Sequence, residues 1–173
     1  MGNKPEKLNK SKRLAIRGVM VSLAMILSYL ESLIPFNLGV PGAKIGLANT
    51  VTILALIRLG TLDALMISII RVILTTILFG NMIMMIYSLA GAVLSIFVMS
   101  LFSKSKKFGI VGISIAGAAA HNAGQCLAAA VLMQNKNIMG YLPILLFFGV
   151  IAGLITGLIS SEVIKRLDNV YSE

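Results

Sequence analysis

The chain has 173 residues, 58% of them hydrophobic and 12% charged, with a mean hydropathy of +0.96. Soluble domains run about 45–50% apolar and about 25% charged, so this composition excludes a water-soluble globular protein. One cysteine and one histidine exclude an internal disulfide framework and a His- or Cys-cluster metal site, so no metal and no cofactor is expected. The fifteen Lys/Arg against six Asp/Glu read as the basic side of a membrane protein rather than as a nucleic-acid surface.

A bilayer-spanning helix needs about 20 mainly apolar residues. After a basic tail over residues 1–13, the sequence predicts six such segments: Leu14–Ile34, Ile45–Leu59, Leu62–Phe79, Met82–Phe102, Phe108–Met133 and Leu142–Ile164. They form one transmembrane domain over 14–166, followed by a short tail over 167–173. The first segment is too long for a signal-peptide core and ends at Glu31 and Pro35 rather than at a small-x-small cleavage site. The second is short and abuts Gly60, and Gly109, Gly112 and Gly117 predict a broken or interfacial start to the fifth. With six spans, Lys4 to Arg17, Arg58, Lys104 to Lys107, Lys165 and Arg166 fall on one side, leaving Lys44 and Lys136 opposite. That asymmetry makes the basic side, with both termini, cytoplasmic.

Polar groups within the spans are costly, by roughly 2.5–3.5 kcal/mol for a charge at the centre, and so mark candidate sites. Glu31, Asn37, Lys44 and Asn49 surround the first outer loop, which Pro35, Gly39, Pro41 and Gly42 shape into a turn. Glu31 and Lys44 are placed to pair as a latch, and the second helix turns its positive N-terminal end towards the same side. Asp63 begins the third span, where helix capping accounts for it. Arg71 falls in the middle of that span; it suits either a buried ion pair or a solute bearing an anion or carbonyl, which a guanidinium grips with its two-pronged fork. Asn81, Tyr87 and Ser88 add polarity to the outer half of the fourth span, with Tyr87 also suited to an interfacial anchor. In the fifth, His121 and Asn122 point to a ligand pocket. Gln125 shares a face with Asn122 and serves equally well as a bond between helices, because Gly117 to Ala120, Ala123 and Gly124 are small. Gly149, Gly153 and Gly157 form a packing ridge on the sixth, and the ten methionines read as adaptable filling.

The run Pro41-Gly42-Ala43-Lys44-Ile45-Gly46-Leu47-Ala48-Asn49, the pairs Arg71-Val72 and Phe79-Gly80, the stretch Ser88-Leu89-Ala90-Gly91, and Gly117 to Gln125 with its His121-Asn122-x-x-Gln125 core resemble the Gx transporter family. That family is also labelled heptaprenyl diphosphate synthase component I, and it resembles the S components of energy-coupling factor (ECF) transporters. The resemblance implies an all-α integral membrane protein of six transmembrane helices in the bacterial cytoplasmic membrane. It further implies a non-enzymatic subunit that captures a small vitamin-like, flavin-like, quinone-precursor or isoprenoid-phosphate solute from outside. Such a subunit works with an ECF module of one T protein and two ATPases, since no GxxxxGK[ST] loop is present here.

Carried over by position, the resemblance implies a substrate site at Lys44, Asn49, Arg71, His121, Asn122 and Gln125, to which the reading of the residues themselves adds Glu31 and Tyr87. It implies docking of the T protein on the first helix through Ala15, Gly18 and Ser22. Val19 breaks the Ala-x-x-x-Ala spacing there, while Gly18/Ser22 and Ala24/Ser28 keep small residues four apart. Two alternatives stand beside this reading: an accessory membrane subunit of heptaprenyl diphosphate synthesis, and a stand-alone secondary transporter. Catalysis of prenyl transfer needs clustered aspartates for Mg²⁺, whereas Asp63 and Asp168 stand alone.

Overall fold

A computed structural model describes residues 9–33, 46–105 and 107–170. The described residues form six α-helices: α1 (Lys10–Leu33), α2 (Leu47–Arg58), α3 (Thr61–Phe79), α4 (Met82–Lys104), α5 (Ile110–Leu132) and α6 (Leu142–Val170), with a 3-10 turn over Lys136–Tyr141 before α6. Five of the six are long and apolar enough to cross a membrane, and α2 is not. Its 12 residues rise about 18 Å, against about 30 Å of hydrocarbon.

The short α2 is the centre of the bundle. It packs on α1, α3, α5 and α6, while α3, α4, α5 and α6 form a continuous wall, each against the next. Ala48 and Thr50 to Leu56 are all buried, so α2 is enclosed on every side and needs no lipid-facing length. Peripheral α1 touches α2 and α3, and Ala24 is its one buried residue. The distribution of polarity is inverted relative to a soluble protein. Leu62 and Val131, each 75% exposed, face outwards with many other large apolar side chains, whereas Thr52, Ser68, Ser95, Ser114, Thr156 and Ser160 are buried. This places the chain in lipid as a multi-pass membrane protein.

Residues Lys10–Arg13 form the first turn of α1. One expectation changes. α5 is unbroken, because Gly109 lies just outside it as the N-cap and, of the later glycines, Gly117 and Gly124 serve close approach to α4. A Cβ on Gly117 would come within 2.4 Å of Met99 Cγ on α4. On α6, the expected ridge of Gly149, Gly153 and Gly157 packs against α5, where a Cβ on Gly153 would sit 2.6 Å from the Ile115 Cα. Backbone cannot yield as a side chain does. Gly153→Leu is therefore expected to destabilise the bundle by about 1–3 kcal/mol or more, read as a lowered unfolding temperature in detergent; an unchanged temperature would show that α5 and α6 separate at little cost.

Charge closes one end of the bundle. Asp63, fully buried in the first turn of α3, accepts from Arg13 Nε at 2.8 Å and from Arg17 Nη2, and lies within 2.7 Å of Arg13 Nη2 as an ion pair. Arg13 also donates to the Leu59 carbonyl at 3.3 Å. Arg58, in the last turn of α2, pairs with Asp168 at 2.6 Å and donates to the Ile164 carbonyl at 3.2 Å. The helix cap expected of Asp63 is not formed, since α3 has no side-chain cap hydrogen bond; instead, a single carboxylate ties α1 to α3 through two arginines one helical turn apart.

Candidate binding cavity

At the end of the bundle remote from these ion pairs, the end of α1, the start of α2, the C-terminal half of α3 and the facing parts of α4, α5 and α6 leave a cavity of about 150 Å³. Six of the sequence-expected positions meet in its wall: Glu31, Asn49, Arg71, His121, Asn122 and Gln125. They come from four helices and span 95 positions of sequence, from 31 to 125. Lys44 lies outside the described residues, so its pairing with Glu31 is not part of this geometry. Tyr87 is half-buried on α4 but does not line the cavity, whereas Met84 and Ser88 do. Those two are four apart and share a face, from which Tyr87 is turned by about 100° relative to Ser88.

Each polar group is held differently. Arg71 Nη1 donates to Ser28 Oγ at 3.2 Å, and its Nε is buried without a hydrogen-bond partner among the described residues. Glu31 Oε1 accepts the Gly46 backbone N–H at 2.5 Å, supplying the N-terminus of α2 with an acceptor. Gly46 has φ +78°, a left-handed conformation that glycine adopts without steric penalty. A carboxylate at the positive end of a helix is favourable, and it takes the place that an incoming anion would occupy. Asn122 Nδ2 donates to the Leu145 carbonyl of α6 at 2.6 Å, so this amide bonds helices together while also facing the cavity. His121 and Gln125 press against Gly91 of α4, where a Cβ would lie 2.8 Å from Gln125 Cγ and 3.1 Å from His121 Cε1.

Sequence reasoning missed Ser28, Thr75 and Thr76 in the wall. The threonine hydroxyls are satisfied within α3, each donating to a carbonyl four residues earlier at 2.7 Å, and such residues give little signal in an apolar run. Asn81, grouped with the polar residues of the fourth span, caps α4 by accepting from Met84 N at 2.9 Å.

Ala15, Gly18 and Ser22 are exposed along one face of α1. Nothing lies within 4 Å of the position of a Gly18 Cβ, and Ser22 Oγ donates to the Gly18 carbonyl at 3.0 Å. The second small pair is turned inwards instead: Ala24 is fully buried and Ser28 lines the cavity. Helical rotation accounts for the difference, since Ala24 is turned about 200° from Ser22.

Residues 20–163 match the family described as heptaprenyl diphosphate synthase component I. The chain belongs to that family. The heptaprenyl diphosphate synthase component I match contains every described cavity residue named above, whereas Arg13, Arg17 and Asp168 of the ion pairs and Ala15 and Gly18 of α1 lie outside it. No curated protein and no solved structure matches the chain.

Proposed function

We propose that the protein is the substrate-binding membrane subunit of an ECF-type importer, taking a small solute from outside a bacterial cell into its cavity. The carrying observation is the convergence of Glu31, Asn49, Arg71, His121 and Gln125 on one cavity in a membrane bundle. A desolvated arginine and a carboxylate are expensive inside a membrane, and packing alone does not call for both around an open space. In this reading all six helices cross or fill the bilayer, both termini are cytoplasmic, and the cavity faces outwards. The basic residues support that orientation, since Lys10, Lys12, Lys104, Lys107, Lys165 and Arg166 lie at the helix ends remote from the cavity. The outer face of α1 would meet the T protein, whose two ATPases supply the energy.

The family's description favours a second reading, an accessory membrane subunit that joins a partner component in heptaprenyl diphosphate synthesis. Catalysis by this chain itself is disfavoured, because both aspartates are committed to arginines: Asp63 to Arg13 and Arg17, Asp168 to Arg58. Neither is left to share a Mg²⁺ ion on a diphosphate.

Affinity purification of the tagged protein from its native membrane in mild detergent, followed by mass spectrometry, separates the readings. Recovery of a T protein with two ATPases supports the importer; recovery of a prenyl synthase subunit supports the second reading and overturns the first. Gly18→Leu is expected to leave yield and unfolding temperature unchanged, because the site is open, while reducing recovery of the T protein and ATPases by about tenfold or more. Full recovery in that variant would remove α1 as the docking face.

A further inference from the structure

We infer that the solute is amphoteric and about one ring in size, with an acidic or carbonyl group for Arg71 and an N–H donor for Glu31; this rests on the solute-binding reading above. The two opposite charges share the cavity wall, and the Glu31 carboxylate acts electrostatically on Arg71. Among the described residues, however, no ion pair within 4.0 Å joins them. Each keeps bonding capacity in reserve. Arg71 gives one long hydrogen bond to Ser28 and leaves Nε unpartnered, while Glu31 commits Oε1 to Gly46 N.

A charge pair held apart across a cavity discriminates by sign. A purely anionic solute that satisfies Arg71 meets the Glu31 carboxylate, and a purely cationic one meets the guanidinium. A molecule carrying both functions satisfies both walls and replaces the water that each gives up. At the start of α2 the Glu31 carboxylate already holds the Gly46 N–H, and its charge disfavours a second anion beside it. Arg71 is left as the group for the acidic end.

Volume sets the second limit. A cavity of about 150 Å³ is comparable with one known to hold a benzene molecule. Fused three-ring systems and prenyl chains exceed that volume and would have to project through the mouth of the cavity. Val72, Phe79, Ala118 and Ala152 supply apolar wall for the faces of a ring, and Asn49 and Gln125 supply amides for its edge.

The test measures binding to the purified full-length protein in detergent, by thermal unfolding and calorimetry. The probes are the aminobenzoate and aminomethylbenzoate isomers, with benzoate, benzylamine, flavin mononucleotide and geranyl diphosphate as comparators. At least one amphoteric single-ring probe is expected to bind about tenfold or more tighter than benzoate or benzylamine, the loss attached to one charge-assisted hydrogen bond. Glu31→Gln is expected to bring benzoate and that probe within about twofold of each other, because the carboxylate that discriminates is gone. Equal binding of benzoate and the amphoteric probes by the unaltered protein overturns the inference and leaves solute capture standing. Tighter binding of flavin mononucleotide or geranyl diphosphate does the same. No binding by any probe of the three classes overturns both the inference and the solute-binding reading. The comparison among probes on the unaltered protein decides the matter even if Glu31→Gln fails to fold.

Discussion

Replacing Arg13 and Arg17 together by alanine is expected to destabilise the protein by about 3–5 kcal/mol, the range for stripping the partners from a buried charge. The asymmetry of burial is the reason. The Asp63 side chain is 0% exposed, whereas those of Arg13 and Arg17 are 45% and 27% exposed. Without the arginines, a carboxylate is stranded in the interior; without the carboxylate, two cations remain that reach water. Asp63→Asn should accordingly cost less, about 1–3 kcal/mol, although it disrupts the same contacts. Either single arginine variant should cost less again, because Asp63 keeps one partner. The costs are therefore non-additive, and adding Asp63→Asn to the double variant should restore much of its stability. Unfolding in detergent under a denaturant series reads each difference. Equal costs for the double arginine variant and for Asp63→Asn would show that Asp63 is not the desolvated member. Lys4, Lys7, Lys10 and Lys12 remain in every variant, so the charge bias that orients insertion is preserved.

That clamp illustrates what the sequence leaves hidden. Arg13 and Arg17 carry the marks of cytoplasmic charge and Asp63 those of a helix cap, and each description is drawn from its own segment alone. Their partnership joins positions 46 and 50 apart, and no periodicity within α1 or α3 signals it. Helix positions were far more legible, because apolar runs bounded by Gly60, Gly80 and Gly109 are local signals. The central placement of α2 was not: a short apolar run is equally consistent with a short span, and only packing on four neighbours shows it enclosed.

The cavity was legible for an energetic reason. Arg71, His121, Asn122 and Gln125 are conspicuous in apolar segments, so cost alone selects them, and the fold gathers them. Cost does not tell which polar group binds helices and which stays available. Asn122 is bonded to Leu145, and Glu31 is bonded to Gly46. Both partners are backbone groups, which every residue carries and no sequence pattern distinguishes.

Arg71→Met is expected to lower affinity for the preferred solute by about a hundredfold, while leaving the unfolding temperature of the empty protein unchanged or raised. The two halves of this expectation have one origin. Arg71 carries a full charge into the bundle and donates, among the described residues, a single side-chain hydrogen bond of 3.2 Å, to Ser28. Contrast Asp63, whose carboxylate accepts from both arginines. A charge so thinly compensated contributes little to stability, and an apolar side chain of similar length removes the desolvation cost. In the proposed function its value would lie in the bond to a solute, to which a guanidinium presents two parallel donors. Arg71→Lys keeps the charge and loses the fork, so it should fall between, with a loss of about tenfold. Calorimetry with the preferred probe measures the affinities, and unfolding without solute measures the empty protein. If Arg71→Met instead aggregates, and Arg71→Lys unfolds at a lower temperature while binding normally, then Arg71 serves the fold and the cavity's anion-binding role falls with it.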